Sequence, residues 1–285
     1  MINLSQPSNK ASKIDQVFLK DFVEKISFPR PYGSQKNKLA AEIVKKEFLN
    51  IFGQFQAIGE HDNICAGADF NQAEVIIGAH YDSVPNSPAA DDNASAVAVM
   101  LACAKELKDE KNICFVAFNC EEFGIAGSQD LVENHMQGNK PKHVHVLEMV
   151  GYRSFEPNSQ ENPLSELVEI PDVGDFIGVV GNNAKFVKEI ENKANTVNIP
   201  VITLTLPEQV SYEQINYMSP HLLRSDHIGF WESGVPAVMW TDTAEFRNKN
   251  YPQPFLCGSD QRDDGLRGGR SAGFAGRNQC RKTGQ

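Results

Sequence analysis

His80 and Asp82 stand in Gly78-Ala79-His80-Tyr81-Asp82-Ser83, directly after the strand-like run Glu74–Ile77. An imidazole at the carboxyl end of a strand sits where open α/β sheets hold their ligands. Asp82, two residues on, is spaced to accept the other ring N–H of His80 and fix a metal-binding tautomer. A second acidic pair, Asp91-Asp92, follows Pro85 and Pro88 and precedes an almost wholly apolar helix. One acid there would serve as a helix cap, but two against buried apolar surface need positive compensation. No Lys or Arg lies between Lys46 and Lys105, so a bound cation is the expected source of that charge.

Glu121-Glu122 closes the apolar run Ile113–Phe118, and neighbouring side chains in an extended segment point opposite ways. One can then hold a metal while the other faces a substrate. Glu148 lies in the apolar run Val144–Val150, and Ser225-Asp226-His227 precedes the aromatic segment Ile228–Trp231. His80, Asp92, Glu122, Glu148 and His227 form a mixed nitrogen and oxygen set suited to zinc, with carboxylates able to bridge two ions. His143 and His145 are offset from Glu148 by odd numbers and should face away from it. His61, His135 and His221 read as surface residues.

The elements that must position this set alternate along the chain. Val75–Ala79, Ile113–Asn119, Val144–Val150, Phe176–Val180 and Ala237–Trp240 read as strands. Lys13–Ile26, Lys38–Phe52, Ala94–Leu107, Ala126–His135 and Ala184–Asn195 read as helices. That alternation builds βαβ units and a parallel sheet, and no repeat or linker divides it. The expected fold is a single α/β domain, its sheet covered by helices on both faces.

Composition sets outer bounds. The 285 residues carry a net charge of -10, which opposes tracking a phosphate backbone, so nucleic acid is not an expected partner. The longest apolar stretch, Ala94–Ala104, falls short of the ~20 residues a bilayer span needs. With no signal-like apolar core near the start, the chain as written is expected in the cytoplasm, its cysteines reduced.

In order, GAHYDS, PAADDNASA, NCEEFG, LEMVGY and RSDHIGFWESGVPAVMWTDTAEFRN resemble the two-zinc aminopeptidase family of the bacterial leucyl aminopeptidase type, which includes glutaminyl cyclases and glutamate carboxypeptidases. The likeness runs from about Lys13 to Tyr251. It implies a mostly parallel mixed sheet and an exopeptidase that hydrolyses the N-terminal bond of peptides with a free N-terminus. His80, Asp92 and Glu148 would hold one zinc, and Asp92, Glu122 and His227 a second, with Asp92 shared. Glu121 would be the general base, Asp82 would orient His80, and a cis peptide would follow Asp92. Tyr212 or Tyr217 is the expected donor to the developing oxyanion. The alternatives are a cyclase-like acyltransferase or a non-catalytic member of the fold.

Two departures stand out. Glu148 is one methylene longer than the Asp usual there. After Tyr251 the family's closing segment is missing, and Cys257–Gln285 hold 7 of the chain's 21 Gly. The expected division is a catalytic domain over 1–256 and an atypical tail over 257–285, with the residues after about Pro254 a frameshifted reading of the gene.

Overall fold

The structure is a computed structural model that describes residues 15–251 apart from 139, 197–199 and 208–209. The expected tail, its frameshift and its disorder lie outside the described residues.

Eight strands form one sheet in the order β1-β2-β4-β3-β5-β8-β6-β7. They are β1 (Gln56–Ile58), β2 (Asn63–Gly67), β3 (Val75–His80), β4 (Ile113–Phe118), β5 (His143–Glu148), β6 (Ile177–Gly181), β7 (Val201–Thr205) and β8 (Ala237–Thr241). β4, β3, β5 and β8 run parallel through the centre, and β6 pairs parallel with β7. The β1–β2, β2–β4 and β6–β8 pairs are antiparallel, so the sheet is mixed and mostly parallel, as expected.

Seven helices cover it: α1 (Gln16–Ile26), α2 (Gln35–Phe52), α3 (Ala96–Glu106), α4 (Ala126–Asp130), α5 (Ala184–Ala194), α6 (Tyr212–Met218) and α7 (His227–Glu232). Asp15 caps α1 by accepting from the Val17 and Phe18 amides, and Ser34 caps α2, which starts three residues before the expected Lys38. Alternation along β4 splits the core. Cys114, Val116 and Phe118 pack with Leu131, Ile228 and Phe230 from the α4 and α7 side. Phe115 and Ala117 pack with Phe22, Val44, Phe48 and Val97 from α1, α2 and α3. Each such apolar side chain contributes about 1.5–3 kcal/mol on burial.

This topology aligns the carboxyl ends of the central strands. His80 ends β3 opposite Phe118 at the end of β4, and Glu148 ends β5 opposite Thr241 of β8. β5 stops two residues short of the expected Val150 because Met149 adopts a φ of 48° and turns the chain. Ala89 and Cys120, at φ 52° and 65°, turn the backbone just before Asp91-Asp92 and Glu121-Glu122. Three non-glycine residues in a sparsely populated region thus border the acidic positions, a placement common at functional sites.

Candidate metal centre

His80 is the hub. Its Nδ1 lies 3.3 Å from Asp82 Oδ1, and its Nε2 lies 3.2 Å from Asp92 Oδ1, 3.5 Å from Glu148 Oε2 and 3.9 Å from Glu121 Oε2. One ligand-type atom from each of His80, Asp92 and Glu148 falls within 4.8 Å of the others. Both His80 nitrogens and Asp92 Oδ1 are buried without a hydrogen-bond partner. Buried polar atoms are normally paired. Lone-pair donors converging with no proton arranged between them suit a cation, and imidazole with carboxylates suits zinc.

Each acidic pair divides between two environments. Asp92 turns to His80, whereas Asp91 Oδ1 accepts from the Gly151 amide at 3.0 Å and from Ser95 Oγ at 3.2 Å. The Asp92–Asn93 peptide is cis. Glu121 faces His80, while Glu122 Oε1 accepts from the Val84 amide at 3.1 Å. Asp82 has a double role: beyond His80, its two oxygens accept from the Glu121 and Glu122 amides, each at 3.2 Å. One buried carboxylate therefore sits against both the imidazole and the backbone of the acidic pair that follows β4.

Burial, together with crowding, governs the charges. Desolvation pushes Glu121 well above the usual carboxylate range, with Glu148 and Glu122 adding repulsion. Desolvation and Asp92 take Glu122 to about 9. Desolvation works to lower His80, but Glu148 and Glu121 outweigh it and hold it well above its ordinary value.

The chain also supplies a cation that sequence proximity did not reveal. Arg30 is fully buried, its Nε donating to Tyr81 O at 2.7 Å, Nη1 to Ile26 O at 2.9 Å and to Phe28 O and Pro88 O at 3.2 Å, and Nη2 to Ala89 O at 3.1 Å. Burial lowers it to about 10, against the attraction of Asp92, Asp82 and Glu122, so it stays charged at neutral pH.

His227, expected on the second ion, opens α7 and is fully buried. Its Nε2 donates to Leu222 O at 3.0 Å, its buried Nδ1 has no partner, and desolvation lowers it to about 4. Among the described residues, Asp92, Glu122 and His227 form no second group within ligand span. The Ser225–His227 turn reaches the cluster through Ser225, whose Oγ donates to Glu148 Oε2 at 2.6 Å. Asp226 follows, buried, its carboxylate oxygens unpartnered and raised to about 7 by desolvation.

Sequence reasoning also missed Asn93 and Tyr251. The Asn93 side chain donates to Leu147 O and accepts from the Met149 amide, both at 2.9 Å, bracketing Glu148. The tyrosine at the cluster is Tyr251, whose hydroxyl donates to Asp92 Oδ2. Of the two expected tyrosines, Tyr217 is 91% exposed and Tyr212 packs against the apolar core. His143 and His145 do face away, the first stacked on Phe186 and the second accepting from Trp240 Nε1 at 3.1 Å.

Comparison with known proteins agrees with this architecture. YfbL of Escherichia coli, described as uncharacterized, is 34% identical over 241 residues, spanning 75% of this chain and 72% of its own. The aminopeptidase YwaD of Bacillus subtilis is 31% identical over 176 residues, 59% of this chain and 32% of that longer protein. LapB of Legionella pneumophila shares the fold with a TM-score of 0.58 at 20% identity, covering 84% of this chain and 66% of LapB. The family model of peptidase family M28 matches residues 63–255, from β2 through the end of the described residues and past every group in the cluster, and the chain belongs to that family.

Proposed function

We propose that the chain is a zinc-dependent aminopeptidase that removes the N-terminal residue of peptides. The observation that supports this most is the convergence of His80, Asp92 and Glu148 with the Glu121 carboxylate 3.9 Å from the same imidazole nitrogen. Membership of a peptidase family and the 31% identity to an aminopeptidase point the same way.

In this reading one zinc would be held by His80, Asp92 and Glu148, and the second ion expected from the sequence by Asp92, Glu122 and His227, whose buried Nδ1 has no hydrogen-bond partner. Bound there, zinc would acidify a water and polarise the scissile carbonyl. Asp82 holds the His80 ring so that Nε2 points into the cluster. Glu121, whose Oε2 lies 3.9 Å from His80 Nε2, would accept a proton from the attacking water and deliver it to the leaving amine. The free ammonium of a substrate is attracted by the surrounding carboxylates, a neutral blocked terminus less so.

Elemental analysis with an aminoacyl-anilide panel tests the reading. Hydrolysis that chelation abolishes and zinc restores is expected. Cyclisation of N-terminal glutamine without hydrolysis would instead establish the acyltransferase alternative.

A further inference from the structure

Glu148 is held at its backbone from both sides. The Asn93 amide bridges Leu147 O and the Met149 amide, and Val150 and Gly151 donate to Ser95 Oγ and Asp91 Oδ1 at 3.2 and 3.0 Å. The peptide is fixed, but the side chain carries one more rotatable bond than aspartate would. Something must hold the carboxylate toward His80.

The only hydrogen bond to that carboxylate among the described residues comes from Ser225. Ser225 is fully buried, and its O–H···O distance of 2.6 Å is in the charge-assisted range. The turn carrying it is itself pinned: the Ile228 amide donates to Ser225 O at 3.2 Å, and the His227 ring donates to Leu222 O across the same turn. We propose, on the metal reading above, that Ser225 is a positioning residue that sets the angle at which the Glu148 carboxylate meets the ion. By engaging Oε2 it disfavours symmetrical ligation through both oxygens.

A double-mutant cycle on the full chain separates this from a general loosening of the fold. Zinc affinity is measured by chelator competition for wild type, Ser225→Ala, Glu148→Asp and the double variant, with the visible spectrum of each cobalt-loaded protein. Ser225→Ala should weaken zinc about tenfold or more, the usual scale for losing a partner of a metal ligand, and shift the cobalt bands. In the Glu148→Asp background the same change should weaken zinc less than about twofold, because the shorter carboxylate does not reach the hydroxyl. Wild-type affinity and spectrum in Ser225→Ala would overturn the proposal, as would an equal loss in both backgrounds. Wild-type protein that takes up no zinc would overturn the metal reading itself, a result distinct from either.

Discussion

Asp82 and Glu121 illustrate how two buried carboxylates a few ångströms apart do different work. Asp82 spends its lone pairs on His80 and two backbone amides, so it is a fixed acceptor; Glu121 offers Oε2 to the cluster with desolvation raising its affinity for protons. Glu121→Gln should therefore keep zinc near wild type and lower kcat by at least about a hundredfold, checked by elemental analysis beside a rate assay. Asp82→Asn should do the converse. An amide cannot accept from both backbone N–H groups and the ring, and zinc affinity should fall about 10–100-fold by chelator competition. Parallel loss of zinc in both variants would mean that Glu121 is a ligand.

Among the elements, the apolar runs of β3, β4, β6 and β8 were legible because strands covered on both faces must be apolar throughout. Glu121 and Glu122 do part, one toward His80 and one toward the Val84 amide, but they lie beyond β4 in the turn after Cys120, so strand parity is not what separates them. β2 escaped because its run is short and bounded by Asn63 and Gly67, and β7 because it is an edge strand lying between Pro200 and Pro207. The early end of β5 was illegible for another reason: Met149 has an ordinary apolar side chain, and its positive φ is imposed by the Asn93 bridge. The His227 ring contact was illegible because an i to i−5 ring-to-carbonyl bond leaves no mark in sequence spacing.

His145, on the far face of β5, gives an element-level test. Burial, with His143 beside it, lowers it to about 4, against about 6.5 in an unfolded chain. The unfolded state therefore binds the extra proton between those values, so the stability is complete above about pH 6.5 and is lost as pH falls toward 4. His227, also lowered to about 4, acts with the same sign. His145→Gln leaves Trp240 an acceptor and should flatten part of the fall in Tm between pH 7 and 5; an unchanged slope would show that His145 protonates freely in the folded chain.

For the whole molecule, a ligand that ties β3, β5 and the Asp92 segment together should be visible in global stability. Zinc at about a hundred times its Kd adds about 2.7 kcal/mol, which for a chain of this size corresponds to a rise in Tm of about 5–10 °C, and chelation should reverse it. His80→Ala should show no such rise.

Arg30 bears on a different question, where this protein can be cut. The stretch that matches the family model begins at residue 63, and Arg30 lies upstream of that boundary, in the segment between α1 and α2. Yet its guanidinium is the donor that Tyr81 O, Pro88 O and Ala89 O share, on the two segments that lead to His80 and Asp92. A chain begun at Asn63 would lose that donor, the packing of α1 and α2 on the sheet, and the internal counter-charge of the carboxylates. The stretch matched by the family model is thus smaller than the folding unit: made alone, it is expected to be insoluble or unable to hold zinc, and the first helices, which contribute no group to the cluster, are inseparable from it.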